Sequence, residues 1–97
     1  MEKLVRNMVP ALMRQVGENP ALRTATEAWD RHQLLRAKLL EEVGEFLETD
    51  DHRELADILE VLVTMAQEWG LNLEALREAK TRNRGDFSDW QVWMGHQ

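Results

Sequence analysis

The chain predicts an all-α fold, an antiparallel bundle of four to five helices, and three observations lead there. The composition favours helix: Leu, Ala, Glu and Arg abound, β-branched runs are few and there are only two prolines. Apolar residues recur at helical spacing through two long stretches on either side of residue 50. Two carboxylate pairs, Glu42/Glu45 and Glu54/Asp57, mirror each other about one point between Thr49 and Asp50. If Thr49–His52 turns one helix back on the next, Glu45 faces Glu54 and Glu42 faces Asp57. Those two levels lie about 4.5 Å apart along a helix rising about 1.5 Å per residue.

The elements follow in order. Residues 2–9 are an extended lead-in, and Pro10 suits the first turn of a helix over about 10–16 that Gly17 ends. The stretch GENP, Gly17–Pro20, is a loop. A long helix is expected over about 26–48, then a turn in which Asp50 or Asp51 caps a helix over about 52–69. Gly70 stops that helix. Asn72 caps a last one over about 73–83, with Gly85 near its end. The tail DFSDWQVWMGHQ is irregular or a short strand. Residues 1–97 contain no repeat, low-complexity tract or linker, and are expected to form a single domain.

At about 100° per residue, Leu35, Phe46, Leu39, Val43, Leu47 and Leu40 share one arc of the long helix. Glu41, Glu42, Glu45 and Glu48 share another. The next helix divides similarly: Met65, Ile58, Trp69, Leu62, Leu55 and Leu59 are apolar, while Glu54, Asp57 and Glu60 fall on an acidic side. Two such helices share a core on their greasy faces and line a common acidic cleft.

Bulk properties narrow the function. A chain of 97 residues buries a modest core, and such chains gain apolar contact by pairing with copies of themselves. No 18-residue apolar run is present and MEKLVRNMVP lacks a signal peptide's apolar centre, so no membrane and a cytoplasmic location are expected. The absence of cysteine excludes disulfides, thiol chemistry and zinc–thiolate sites. Within residues 41–60, nine acids against Arg53 give −8, leaving +2 over the remainder of a chain of net charge −6. An acidic chain of this kind is not expected to bind nucleic acid, which needs clustered Lys and Arg.

Charged rows on helices are ordinarily solvated faces. Here the pattern occurs twice, is symmetric about the turn, and has no Lys or Arg between Glu41 and Glu48 to relieve repulsion. Four gathered acids need a positive charge between them, and an all-oxygen set selects a hard cation, Mg²⁺ or Mn²⁺. Di-iron chemistry would want Glu-x-x-His pairs, which are absent, and no EF-hand spacing occurs. A hard cation points toward phosphate chemistry. The alternative is a non-catalytic helical interaction module whose acidic face docks a basic surface.

The segments KLLEEVGEFLE and ELADILEVLVTMAQEWG resemble the MazG-like all-α nucleoside triphosphate pyrophosphohydrolases, whose hallmark is EExxE followed by ExxD. KLVRNMVP and KTRNRGDF are similar, more narrowly, to the short phosphoribosyl-ATP pyrophosphohydrolase-like branch, with Asn7 and Asp86 departing from its pattern. The resemblance implies a nucleotide substrate cut to a monophosphate and pyrophosphate, in a house-cleaning role. By it, Glu42, Glu45, Glu54 and Asp57 hold Mg²⁺, or Mn²⁺, and Glu41 orients or deprotonates the attacking water, which makes Glu41, Glu42 and Glu45 the catalytic set. Lys80, Arg82 and Arg84, with Asn83, form a basic tail to the last helix and are the expected phosphate clamp, Lys80 and Arg84 matching the family's element, joined by Lys38 one turn before Glu42. Lys3 and Arg6 form a second basic pair, either phosphate contacts or salt-bridge partners. A homodimer or homotetramer is expected, because one copy is too small to enclose a nucleotide. Trp69 is read as core, Trp29 as a base-stacking or dimer residue, and Trp90 and Trp93 as covering a core edge or a partner. His32, His52 and His96 are not expected to be ligands.

Overall fold

A computed structural model describes residues 2–96. The helices are α1 (Val9–Gln15), α2 (Ala28–Thr49), α3 (Glu54–Glu68) and α4 (Leu73–Arg84), and the described residues contain no strand. Contacts divide the chain into two compact units, Met1–Met65 and Ala66–Gln97.

In the first unit, residues 2–6 run without regular structure into α1, where Pro10 sits at the start, its missing N–H costing nothing there. Arg23 ties this lead-in to α2: it bonds Glu2 and places Nη1 2.6 Å from Asp30 Oδ2. Asp30 in turn lies in the first turn of α2, where a negative charge answers the exposed N–H groups. Helix α2 begins two residues later than the sequence suggests, and α3 likewise. The two aspartates of the turn divide the capping between them. Asp50 adopts the left-handed conformation (φ 52°) and donates its N–H to the Phe46 carbonyl at 2.8 Å, closing α2. Asp51 accepts the Arg53 N–H at 3.0 Å in an Asx turn, and its carboxylate holds the Arg53 guanidinium at 2.8 Å.

The α2–α3 hairpin is antiparallel, since Leu35 clusters with Val61 and Met65 while Glu42, further along α2, meets Glu54 and Asp57 near the start of α3. Among the described residues, Leu35, Val61 and Met65 are the buried apolar ones, with Leu4, Leu39 and Leu62 packed against them. The helices meet on a line other than the middle of their apolar arcs. Taking Glu42 as zero, Leu35, Phe46 and Leu39 lie at roughly 20–60°, whereas Leu47 and Leu40 lie at roughly 140–160°. The contact runs along the first edge, so Glu42 is buried while Leu40 and Leu47 stay 75% and 70% exposed. On α3 the same shift buries Val61, flanked on the wheel by Asp57 and Glu54, and leaves Leu55 and Leu59 exposed. The expectation that the whole greasy arc is core is therefore corrected: packing uses the border between apolar and acidic faces.

In the second unit, Gly70 (φ 64°) ends α3 in a Schellman motif, with the Leu71 N–H on the Ala66 carbonyl at 2.8 Å and the Gly70 N–H on Gln67 at 3.4 Å. Asn72 Oδ1 accepts the Ala75 N–H at 3.0 Å and starts α4. Residues 85–96 form no helix or strand, and the Trp93 and His96 rings meet edge-on at 5.4 Å. Trp69 is 41% exposed rather than core. It lies one residue past the last turn of α3, where the helical angle no longer fixes its direction.

Candidate functional site

All five acidic residues of the predicted set, Glu41, Glu42, Glu45, Glu54 and Asp57, lie on the first unit and fall into two clusters. Glu41, Glu42 and Glu45 offer carboxylate oxygens within 4.8 Å of one another, and so do Glu42, Glu54 and Asp57. The expected four-cornered arrangement thus takes the form of two overlapping triads that share Glu42. Glu54 and Asp57 occupy the first turn of α3, where the helix N-terminus favours negative charge. Glu42 is only 7% exposed, and its Oε2 has no hydrogen-bond partner. A buried acceptor left unpaired costs on the order of 1–3 kcal/mol. Glu54 Oε2 is buried and unpartnered too.

Glu42, Glu45, Glu54 and Asp57 line a cavity of about 740 Å³ whose wall also includes Lys3, Arg6 and Lys38. Its size lies within the range of small-molecule sites. The walls carry opposite charges. Lys38 Nζ stands 3.2 Å from Glu42 Oε1 and 3.4 Å from Glu41 Oε2. Lys3 reaches Glu41 Oε1 at 3.1 Å, and Arg6 Nη2 reaches Asp57 Oδ1 at 2.7 Å.

The carboxyls are driven apart in acidity. The negative charge of Glu42, then burial and Glu41, raise the Glu45 carboxyl above the usual glutamate range. Burial, then the hydrogen-bonded Asp57 carboxyl, raises Glu54. Burial works to raise Glu41 as well, but Lys3 and Lys38 outweigh it and hold that carboxyl low. Burial likewise opposes the charge on Lys38, and Glu42 and Glu41 overcome it to raise the ammonium. Glu41 is consequently a weaker proton acceptor than Glu45 in the ion-free site.

A hard divalent cation fits this donor set on two counts. All donors are carboxylate oxygens, and two of them are buried with no proton donor to satisfy them. The basic residues expected from the last helix belong to the second unit. Lys80, Asn83 and Arg84 share one face of α4 at i, i+3 and i+4, exposed to solvent in the second unit. Arg6 and Lys3, given above only as alternatives, are the cations of the lead-in that reach the acids. Their spacing of three in a basic segment was the available signal; their partners, 38 and 51 residues away, were not. Trp29 is exposed.

No protein-family model, curated protein or solved structure matches the chain. Among the described residues no helix is long and apolar enough to cross a membrane.

Proposed function

We propose that this chain is a MazG-like, phosphoribosyl-ATP pyrophosphohydrolase-like enzyme that uses Mg²⁺, or Mn²⁺, to cut a nucleoside triphosphate to monophosphate and pyrophosphate, as a cytoplasmic house-cleaning activity. The observation that carries the reading is Glu42: a carboxylate driven into the hairpin's contact line, shared by both acidic triads, with one oxygen unpaired. A solvated acidic docking face has no need to bury its central acid, which weighs against a non-catalytic module.

In this reading Glu42, Glu45, Glu54 and Asp57 hold the cation. That ion supplies neutralisation of triphosphate charge and acidification of the attacking water. Glu41, which the resemblance makes the water-orienting residue or base, is held beside Glu42 by Lys3 and Lys38 and is left out of the ligand set. Lys38 keeps Glu42 oriented from one side, leaving the other oxygen for the ion. Lys80, Asn83 and Arg84 contribute a phosphate-binding face on α4. A homodimer or homotetramer is supported by the row of exposed Leu40, Leu47, Leu55 and Leu59 beside a core of three buried apolar residues.

A pyrophosphate-release screen over a nucleotide panel with Mg²⁺ tests this. Turnover is expected in the wild type and lost in Glu42→Gln and Asp57→Asn, with the helical circular dichroism signal intact. Normal turnover in either variant overturns the assignment.

A further inference from the structure

We infer that Arg6 is a phosphate-binding residue held in reserve: it occupies Asp57 while the acidic site lacks its ion, and transfers to the substrate's polyphosphate once a divalent cation takes that carboxylate. The inference deepens the pyrophosphohydrolase reading and rests on it.

The geometry makes Arg6 a stand-in for a cation. Its Nη2 donates to Asp57 Oδ1 at 2.7 Å, in the triad that also contains Glu42 and Glu54. It feels the negative charges of Glu60 and Glu42 as well as that of Asp57. The 2.7 Å bond uses one of five N–H donors on the guanidinium fork, so most of the fork is available to a planar or tetrahedral oxyanion. The residue can also move. Its side chain is about half exposed and can swing while the Arg6 carbonyl goes on accepting the Val9 N–H at 3.0 Å. Its neighbour Lys3 lines the same 740 Å³ cavity, giving that wall two cations facing an acidic wall.

Two cations on one carboxylate repel each other. A divalent ion satisfying the unpaired Glu42 Oε2 and drawing on Asp57 therefore weakens the hold on Arg6. A triphosphate bound to that ion brings more negative charge than Asp57 alone, and charge-assisted bonds from guanidinium to phosphate are among the strongest a protein makes. Arg6 then closes the open side of the cavity over the phosphates.

The test measures two affinities in wild type, Arg6→Gln, Arg6→Lys and an Arg36→Gln control on an exposed face of α2. Mn²⁺ binding is followed by electron paramagnetic resonance without nucleotide; binding of inorganic triphosphate is followed by calorimetry at saturating Mn²⁺. Arg6→Gln is expected to bind Mn²⁺ about two- to fivefold more tightly, the gain from removing an exposed competing pair. The same variant should bind triphosphate about tenfold or more weakly, as loss of charge-assisted bonds implies. Arg6→Lys should restore part of the triphosphate affinity, and Arg36→Gln should leave both unchanged. Weaker Mn²⁺ binding in Arg6→Gln would make Arg6 a positioner of Asp57 and overturn the transfer. Unchanged triphosphate affinity overturns it as well. If wild type itself binds no Mn²⁺, the pyrophosphohydrolase reading fails first, before any variant is compared.

Discussion

Replacing Glu42 by glutamine separates holding an ion from holding the fold. Glu42 is 7% exposed, with Oε1 3.2 Å from Lys38 Nζ and Oε2 unpaired. Glutamine keeps the shape and an acceptor for Lys38, which also retains Glu41 at 3.4 Å. It removes a negative charge from both triads at once. Losing a charge-assisted bond costs about 1.5–3 kcal/mol, offset by relief of like-charge repulsion and of the unpaired oxygen. In chelator the variant is therefore expected to melt close to the wild type.

Manganese should separate them. A cation present at a hundred times its Kd stabilises the folded state by about 2.7 kcal/mol. A domain of this size gains about 4–8 °C per kcal/mol, so the wild-type Tm should rise by roughly 10–20 °C. Losing one carboxylate ligand weakens binding by at least about tenfold, leaving about 1.4 kcal/mol, half the shift or less. Scanning fluorimetry across a Mn²⁺ series at constant ionic strength reads the difference, and the constant salt removes general screening. Equal Mn²⁺ shifts in the two proteins would refute the assignment of Glu42, and no shift in wild type would refute the ion site itself.

Other perturbations test the frame around the site. Because the folded state holds Glu45 and Glu54 above the ordinary value of 4.5, it takes up protons before the unfolded chain does. In chelator, stability should therefore rise as pH falls from neutrality toward that value. It should fall again at lower pH, where Asp51 and Glu74, held low by Arg53 and Arg77, must be protonated; melts from acid to neutral pH check both limbs. Leu35→Ala removes one of three buried apolar side chains and should cost about 2–5 kcal/mol, measured by urea titration; a loss below about 1 kcal/mol would contradict the core assignment. Leu40→Glu with Leu47→Glu should shift the mass measured by light scattering toward the monomer without loss of helix, and an unchanged mass would rule that face out as the subunit contact.

Much of this was legible in the chain because local chemistry wrote it. Gly70, Asn72 and Gly85 stop and start helices through backbone freedom and a side-chain cap, effects confined to a few residues. The mirrored spacing of Glu42, Glu45, Glu54 and Asp57 about a short turn brings them to one end of the hairpin. What the wheel did not reveal was the rotation of each helix about its own axis. An arc of six apolar residues permits several contact lines, and the one adopted favours Leu35 and Val61 over Leu40 and Leu59. The cationic wall was hidden for a different reason. Lys3 and Arg6 meet their acids only after the lead-in has folded back, and sequence distance carries no signal of that.

On the proposed reading, burial of Glu42 on the same line as Leu35 and Leu39 sets heat resistance against usefulness at a single codon. A population bred for thermal survival without manganese or magnesium has an inexpensive route open to it: an aliphatic substitute at position 42 would join the neighbouring leucines and silence the ionic repulsion. Such lineages should lose that acid early and keep their helices, whereas cultures grown with abundant metal and a need for turnover should retain it.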